Sequence, residues 1–209
     1  MNEHLENLKE IRSLMERSSK FLSLSGLSGI SAGIVALLGA YLVYWKKVQL
    51  TGDTSPLGIF QPLMDENRGE FMSFIFIDAL ITLFIAIVFG VGFTTRKARK
   101  QGQGVWNELS KKLIISLLLP LIAGGIFCIG MVYHRLTWIV PATTLVFYGL
   151  ALLNAAKYTV RDIQFLGISE LILGLIAVFF TGFSLIFWAL GFGILHIVYG
   201  TVMYFKYDK

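Results

Sequence analysis

Residues 164–205 read QFLGISELILGLIAVFFTGFSLIFWALGFGILHIVYGTVMYF. Roughly 40 residues pass with only two strongly polar side chains, Glu170 and His196, about twice what one crossing of a ~30 Å hydrocarbon layer requires. The stretch therefore predicts two transmembrane helices folded back on each other around Thr181–Ser184.

Working outward, four more apolar runs have the same character. The six expected spans are Phe21–Trp45, Phe71–Thr94, Leu113–Tyr133, Trp138–Tyr158, Gln164–Gly182 and Phe183–Phe205. Each is close to the length a bilayer demands. Composition agrees, since 56% of the 209 residues are hydrophobic and only 15% charged, against roughly 25% charged in soluble domains. So many apolar residues could not all be buried in a soluble core of this size. The predicted fold class is all-α, a polytopic helical bundle forming a single unit over residues 21–205. Pro141 falls in the first turn of its helix, where proline is tolerated, and Pro120 lies inside the third span and predicts a kink.

The net charge of +5 does not point to nucleic acid, because the cations sit at the edges of the apolar runs. With the N-terminus inside, the inner segments hold Lys9, Arg12, Arg17, Lys20, Arg96, Lys97, Arg99, Lys100, Lys111, Lys112, Lys157, Arg161, Lys206 and Lys209. The outer ones hold Lys46, Lys47, Arg68 and Arg135. Fourteen against four predicts that both termini are cytoplasmic. The Arg96–Lys100 run also attracts anionic headgroups in principle. Residues 1–20 read as an amphipathic helix, with Leu5, Leu8, Ile11 and Met15 on one stripe, and not as a cleaved signal peptide. An outer loop is expected over residues 46–70, with a small apolar patch at Leu57, Ile59 and Phe60.

Small residues mark the packing faces, because they let helix backbones approach closely in lipid. Gly29 and Gly33 do so in the first span, Gly167 and Gly174 in the fifth, Gly193 and Gly200 in the sixth. Residues 26–36 and 167–177 also share a local pattern that suggests an internal duplication. Folding the last two spans about residue 183 places Gly167 opposite Gly200, Glu170 opposite His196, Gly174 opposite Gly193 and Ala177 opposite Ala189. That single register is the expectation for the final hairpin.

An ionisable group inside a span costs about 2.5 kcal/mol or more and so takes a partner. Glu170 and His196 form the first candidate site, either a proton-responsive pair or a hydrogen-bonded clamp. Asn154, Lys157 and Tyr158 lie at neighbouring depth in the fourth span and are grouped with it. Asp78, one turn before Thr82, is the second candidate, too far in depth to join the first. No catalytic group, metal site or cofactor is expected. The three histidines are on separate segments, Cys128 is the lone cysteine, and no HExxH, GxSxG or phosphate-binding glycine loop occurs.

Two segments carry a resemblance: MERSSKFLSLSGLSGISAGI near the front, and PATTLVFYGLALLNAAKYT with the LGISELILGLIAVFF and FWALGFGILHIVYGTVMYFKYDK stretches near the end. In these the chain resembles a family of multipass inner-membrane proteins of Bacteroidetes-type bacteria. The final hairpin also resembles the small HdeD-type membrane proteins linked to acid stress. The resemblance implies a bacterial inner membrane and transfers no activity. The functional expectation is a non-enzymatic protein that senses, stabilises or regulates, in contact with membrane lipids and with a membrane partner or a second copy of itself. The alternatives are a small transporter or channel for an ion, proton or apolar solute using Glu170 and His196, and an intramembrane lipid-modifying enzyme.

Overall fold

A computed structural model describes residues 24–59, 65–100, 102 and 106–208. The amphipathic stripe expected over residues 1–20 lies outside these. The described chain is predominantly helical, with six helices long and apolar enough to cross a membrane: Gly26–Thr51, Arg68–Lys100, Glu108–Tyr133, Thr137–Tyr158, Asp162–Phe179 and Thr181–Asp208. They are termed here the first to sixth spans. The protein is a polytopic membrane bundle of α-helices.

Local chemistry sets the ends of these helices. Gly52 adopts φ 69° and stops the first span, its N–H bonding to the Val48 carbonyl. Asn107 starts the third with a reciprocal capping box to Ser110. The third helix continues through Pro120, and Pro141 opens the fourth. Arg135 takes φ 63° in the short turn between them.

The first and sixth spans pack together, as do the fourth and fifth, and the sixth also borders the fourth and fifth. The second span leans on the first and the third on the fourth. Most of the second and third spans is left facing outward, with Phe76, Phe84, Ile115, Leu119, Ile126 and Ile129 all exposed. That is the surface a bilayer would solvate, since lipid tails are as apolar as these side chains.

The expected register of the final hairpin is only partly present. Glu170 does lie beside His196. The glycines, however, serve other neighbours. A methyl group placed on Gly167 would come 3.0 Å from the Gly149 carbonyl oxygen, and one on Gly174 would come 2.8 Å from the Val146 nitrogen, both in the fourth span. One on Gly200 would come 2.5 Å from the Ile30 nitrogen, and one on Gly193 would meet Leu37 at 2.4 Å, both in the first span. Gly29 and Gly33 complete that seam, against Gly200 and the Gly193 carbonyl oxygen. Each span of the hairpin thus turns its small-residue stripe to a partner outside the hairpin. The physical reason is that a helix has several faces, and a close-packing stripe joins whichever backbone can come nearest. The shared pattern of residues 26–36 and 167–177 matches in role: both segments are the glycine-bearing side of a tight helix pair.

At the end of the bundle that holds Ser25 and Asp208, three spans are tied by one carboxylate. Asp208 accepts from the Ser25 hydroxyl at 2.9 Å and from the Gly26 N–H at 3.0 Å, capping the positive end of the first helix. Its other oxygen pairs with Lys97 of the second span at 2.6 Å. Asp162 binds the sixth span in the same way, through Lys206 at 3.0 Å and the Tyr207 hydroxyl at 2.6 Å.

The opposite end departs from the expected loop over residues 46–70. The first helix runs on to Thr51 and the next begins by Asp65, because helical hydrogen bonding does not stop where the apolar run stops. Lys46 pairs with Glu70 at 2.6 Å. Lys47 is buried and its three ammonium hydrogens are used, on Asp53 Oδ2 at 2.5 Å, the Ser55 carbonyl at 2.7 Å and the Leu57 carbonyl at 3.2 Å. Beyond this knot, Ile59 is buried near Val43 and Phe71, and Gly58 N–H donates to the Gly182 carbonyl at 2.8 Å. Leu57, of the same expected patch, stays exposed.

The hydrogen bond from Lys47, reinforced by the Ser55 N–H, holds the Asp53 carboxyl below its ordinary value of 3.8. A depressed carboxyl contributes stability that is present above pH 3.8 and is lost as pH falls through the lowered value. Amide exchange of residues 52–58, corrected for intrinsic rate, is therefore expected to stay slow down to that range and rise below it. Lys47→Met should raise it at neutral pH too. Equal exchange in both proteins at neutral pH would show that the knot does not order the loop.

Candidate functional site

Glu170 projects from the fifth span into the contact with the fourth and sixth. Its side chain has no exposed surface. Oε1 lies 3.4 Å from His196 Nδ1, and among the described residues neither carboxyl oxygen receives a hydrogen bond. Gly191 leaves the room for this group: a methyl there would come 2.5 Å from Glu170 Oε2 and 2.4 Å from a Leu145 methyl.

His196 is fixed on both ring nitrogens. Nδ1 lies 3.0 Å from the Gly191 carbonyl oxygen. A carbonyl only accepts, so Nδ1 carries a hydrogen and donates it. Nε2 lies 2.7 Å from the Tyr148 hydroxyl of the fourth span. With a neutral ring the tyrosine donates to Nε2; with a doubly protonated ring Nε2 donates to the tyrosine. The contact is made in either arrangement and holds the ring in position.

The backbone around the histidine is unusual. Ala189–Leu195 is a π-helical segment, and the Gly191 carbonyl that meets His196 is five residues earlier in the chain. Such bulges inside α-helices are frequent at functional sites. The rings of Tyr148 and Phe192 stack on the imidazole, and Trp188 packs behind Phe192. Tyr148 and Phe192 have centroids 5.0 Å apart, and Tyr148 lies over the imidazole at 5.3 Å. These rings exclude water from the pair and hold the imidazole plane.

Chemically, the group can hold protons and join helices. One proton shared between Glu170 and His196 leaves the pair net neutral whichever group holds it. A neutral pair avoids the several kcal/mol that a lone buried ion costs. Among the described residues there is no group of three or more His, Cys, Asp or Glu side chains able to hold a metal ion.

Asn154, Lys157 and Tyr158 do not join this site. Asn154 Nδ2 donates to the Ser116 carbonyl of the third span at 2.8 Å, and Lys157 donates to Asn154 Oδ1 at 3.1 Å. Tyr158 sits in the 3-10 turn that ends the fourth helix. These residues share only depth along the span with the pair, and depth does not specify a face. The fourth-span residue that does reach His196 is Tyr148. Its signal in the sequence is Gly149 beside it, within the stripe Ala142, Leu145, Gly149 and Leu152 that is buried toward the interior. Asp78 and Thr82 are separate from the pair, as their depth implies. They face Gly39 of the first span, where a methyl would meet Thr82 Oγ1 at 2.5 Å and Asp78 Oδ2 at 3.2 Å. Cys128 is unpaired and partly buried, and His134 ends the third helix as its capping residue.

The chain matches no family model, no curated protein and no solved structure, so the geometry of Glu170, His196 and Tyr148 is the ground on which its function is argued.

Proposed function

We propose that this is a non-enzymatic protein of a bacterial cytoplasmic membrane, with both termini on the cytoplasmic side, that senses, stabilises or regulates through its buried Glu170–His196–Tyr148 group. The observation that carries the reading is the complete burial of the Glu170 carboxyl within a wall of aromatic and aliphatic side chains. A group so enclosed acts on the helices that surround it, here the fourth, fifth and sixth spans. The asymmetry of lysine and arginine supports the orientation, and the sequence resemblance supports the membrane. Its partners are membrane lipids and a membrane protein or second copy.

The second reading is a small transporter or channel in which Glu170 and His196 line the path. One feature favours it: neither carboxyl oxygen accepts a hydrogen bond among the described residues, as expected of a group that exchanges partners. Proton and cation flux in proteoliposomes separates the two. The first reading expects flux no greater than in empty liposomes for wild type, Glu170→Gln and His196→Ala alike. Flux in wild type that both substitutions abolish would replace it with the second.

A further inference from the structure

The second span ends on Arg96, Lys97, Arg99 and Lys100, and these cations are not equivalent. Lys97 turns inward, pairing with Asp208 at 2.6 Å and donating to the Leu24 carbonyl at 2.8 Å. Ala98 beside it is wholly buried. These two contacts fix the rotation of the helix. Residues three and four apart share a helix face, so Gly92, Thr95, Arg96, Arg99 and Lys100 lie together on the other side. With Val91 they form one open face of the second span, contributed by that helix alone. Nothing among the described residues approaches within 4 Å of a methyl position on Gly92, which leaves the apolar part of that face free. Among the described residues no carboxylate pairs with Arg96, Arg99 or Lys100.

A topogenic signal requires charge near the end of a span, but it does not require the cations to share one face. The geometry points to an anionic phospholipid as the occupant, its phosphate among Arg96, Arg99 and Lys100 and an acyl chain along Val91 and Gly92. Guanidinium groups match phosphate oxygens in paired hydrogen bonds. The site also stands where a headgroup belongs, directly beyond the apolar length of the helix.

The test is native mass spectrometry of the full chain in detergent micelles, titrated with dioleoylphosphatidylglycerol and separately with dioleoylphosphatidylcholine. Wild type should retain the glycerol lipid preferentially. R96Q/R99Q/K100Q should weaken that retention on the order of 100-fold, from roughly fivefold per cation at an anionic headgroup. R96K/R99K, which keeps the charge and loses the paired hydrogen bonds, should show a severalfold loss, well short of that in the triple variant. K111Q/K112Q, which removes two cations at the start of the third span, should bind as wild type does. Equal retention of the two lipids, or an equal loss in K111Q/K112Q, would overturn the proposal, since net charge alone would then explain binding. Displacement of the lipid by millimolar inorganic phosphate would overturn it as well, assigning the cations to a free anion. If the triple variant fails to fold, R99Q alone should still show a severalfold loss, and wild-type retention in R99Q would count against the site.

Discussion

Gly200→Ala should separate the first and sixth spans and lower stability by about 3 kcal/mol, at the upper end of overpacking costs. The added methyl would come 2.5 Å from the Ile30 nitrogen and 2.8 Å from the Gly26 carbonyl oxygen. Both obstacles are backbone, so no rotamer change relieves the clash. Relief requires the helices to move apart, and then the contacts of Gly26, Gly29 and Gly33 weaken with it. Gly125→Ala is the control, because nothing among the described residues lies within 4 Å of its methyl position. There the substitution should be neutral or gain up to roughly 1 kcal/mol from helix propensity. Thermal denaturation in detergent micelles, followed by loss of the monodisperse species, measures both. A Gly200→Ala protein as stable as Gly125→Ala would show that this seam does not hold the bundle.

Removing His196 should be the costliest change within the polar group. His196→Ala takes away the imidazole 3.4 Å from the Glu170 carboxyl and leaves that group wholly enclosed. Breaking a buried pair from one side costs about 3–5 kcal/mol, most of it the penalty on the partner left behind. Tyr148→Phe removes a single hydrogen bond and should cost about 1 kcal/mol. Glu170→Leu combined with His196→Phe should be less damaging than His196→Ala alone, since the enclosed carboxyl is then gone and the Tyr148 hydroxyl, which loses its partner, is neutral. The same denaturation measurement decides it. If the double substitution were the worse of the two, the pair would be a net source of stability and not a compensated cost.

Much of this architecture was legible in the chain itself. The number of spans follows from the length of apolar runs, because the bilayer sets a fixed distance to cross. Helicity follows from the same source, since a backbone in hydrocarbon must satisfy its own hydrogen bonds. The pairing of Glu170 with His196 was readable because two costly polar residues at matching depth in adjacent spans have strong reason to meet.

The neighbours of each stripe were not readable. Gly167 and Gly174 carry the same signal as Gly193 and Gly200, yet one pair receives the fourth span and the other the first. A glycine stripe states that a backbone will come close and does not state which backbone. Tyr148 escaped for a related reason, since its rotation about the helix axis is set by Gly149 docking on the Leu171 and Gly167 backbone. The π-helical segment at Ala189–Leu195 is a local hydrogen-bond shift that no periodicity announces. By itself, then, the sequence of residues 164–205 determined that two helices fold back in a membrane and bring an acid near a histidine. The tertiary structure alone decided that each helix packs outward on a different partner, and that a tyrosine and a bulged backbone complete the group, because both depend on helix rotations that only contacts distant in the chain can set.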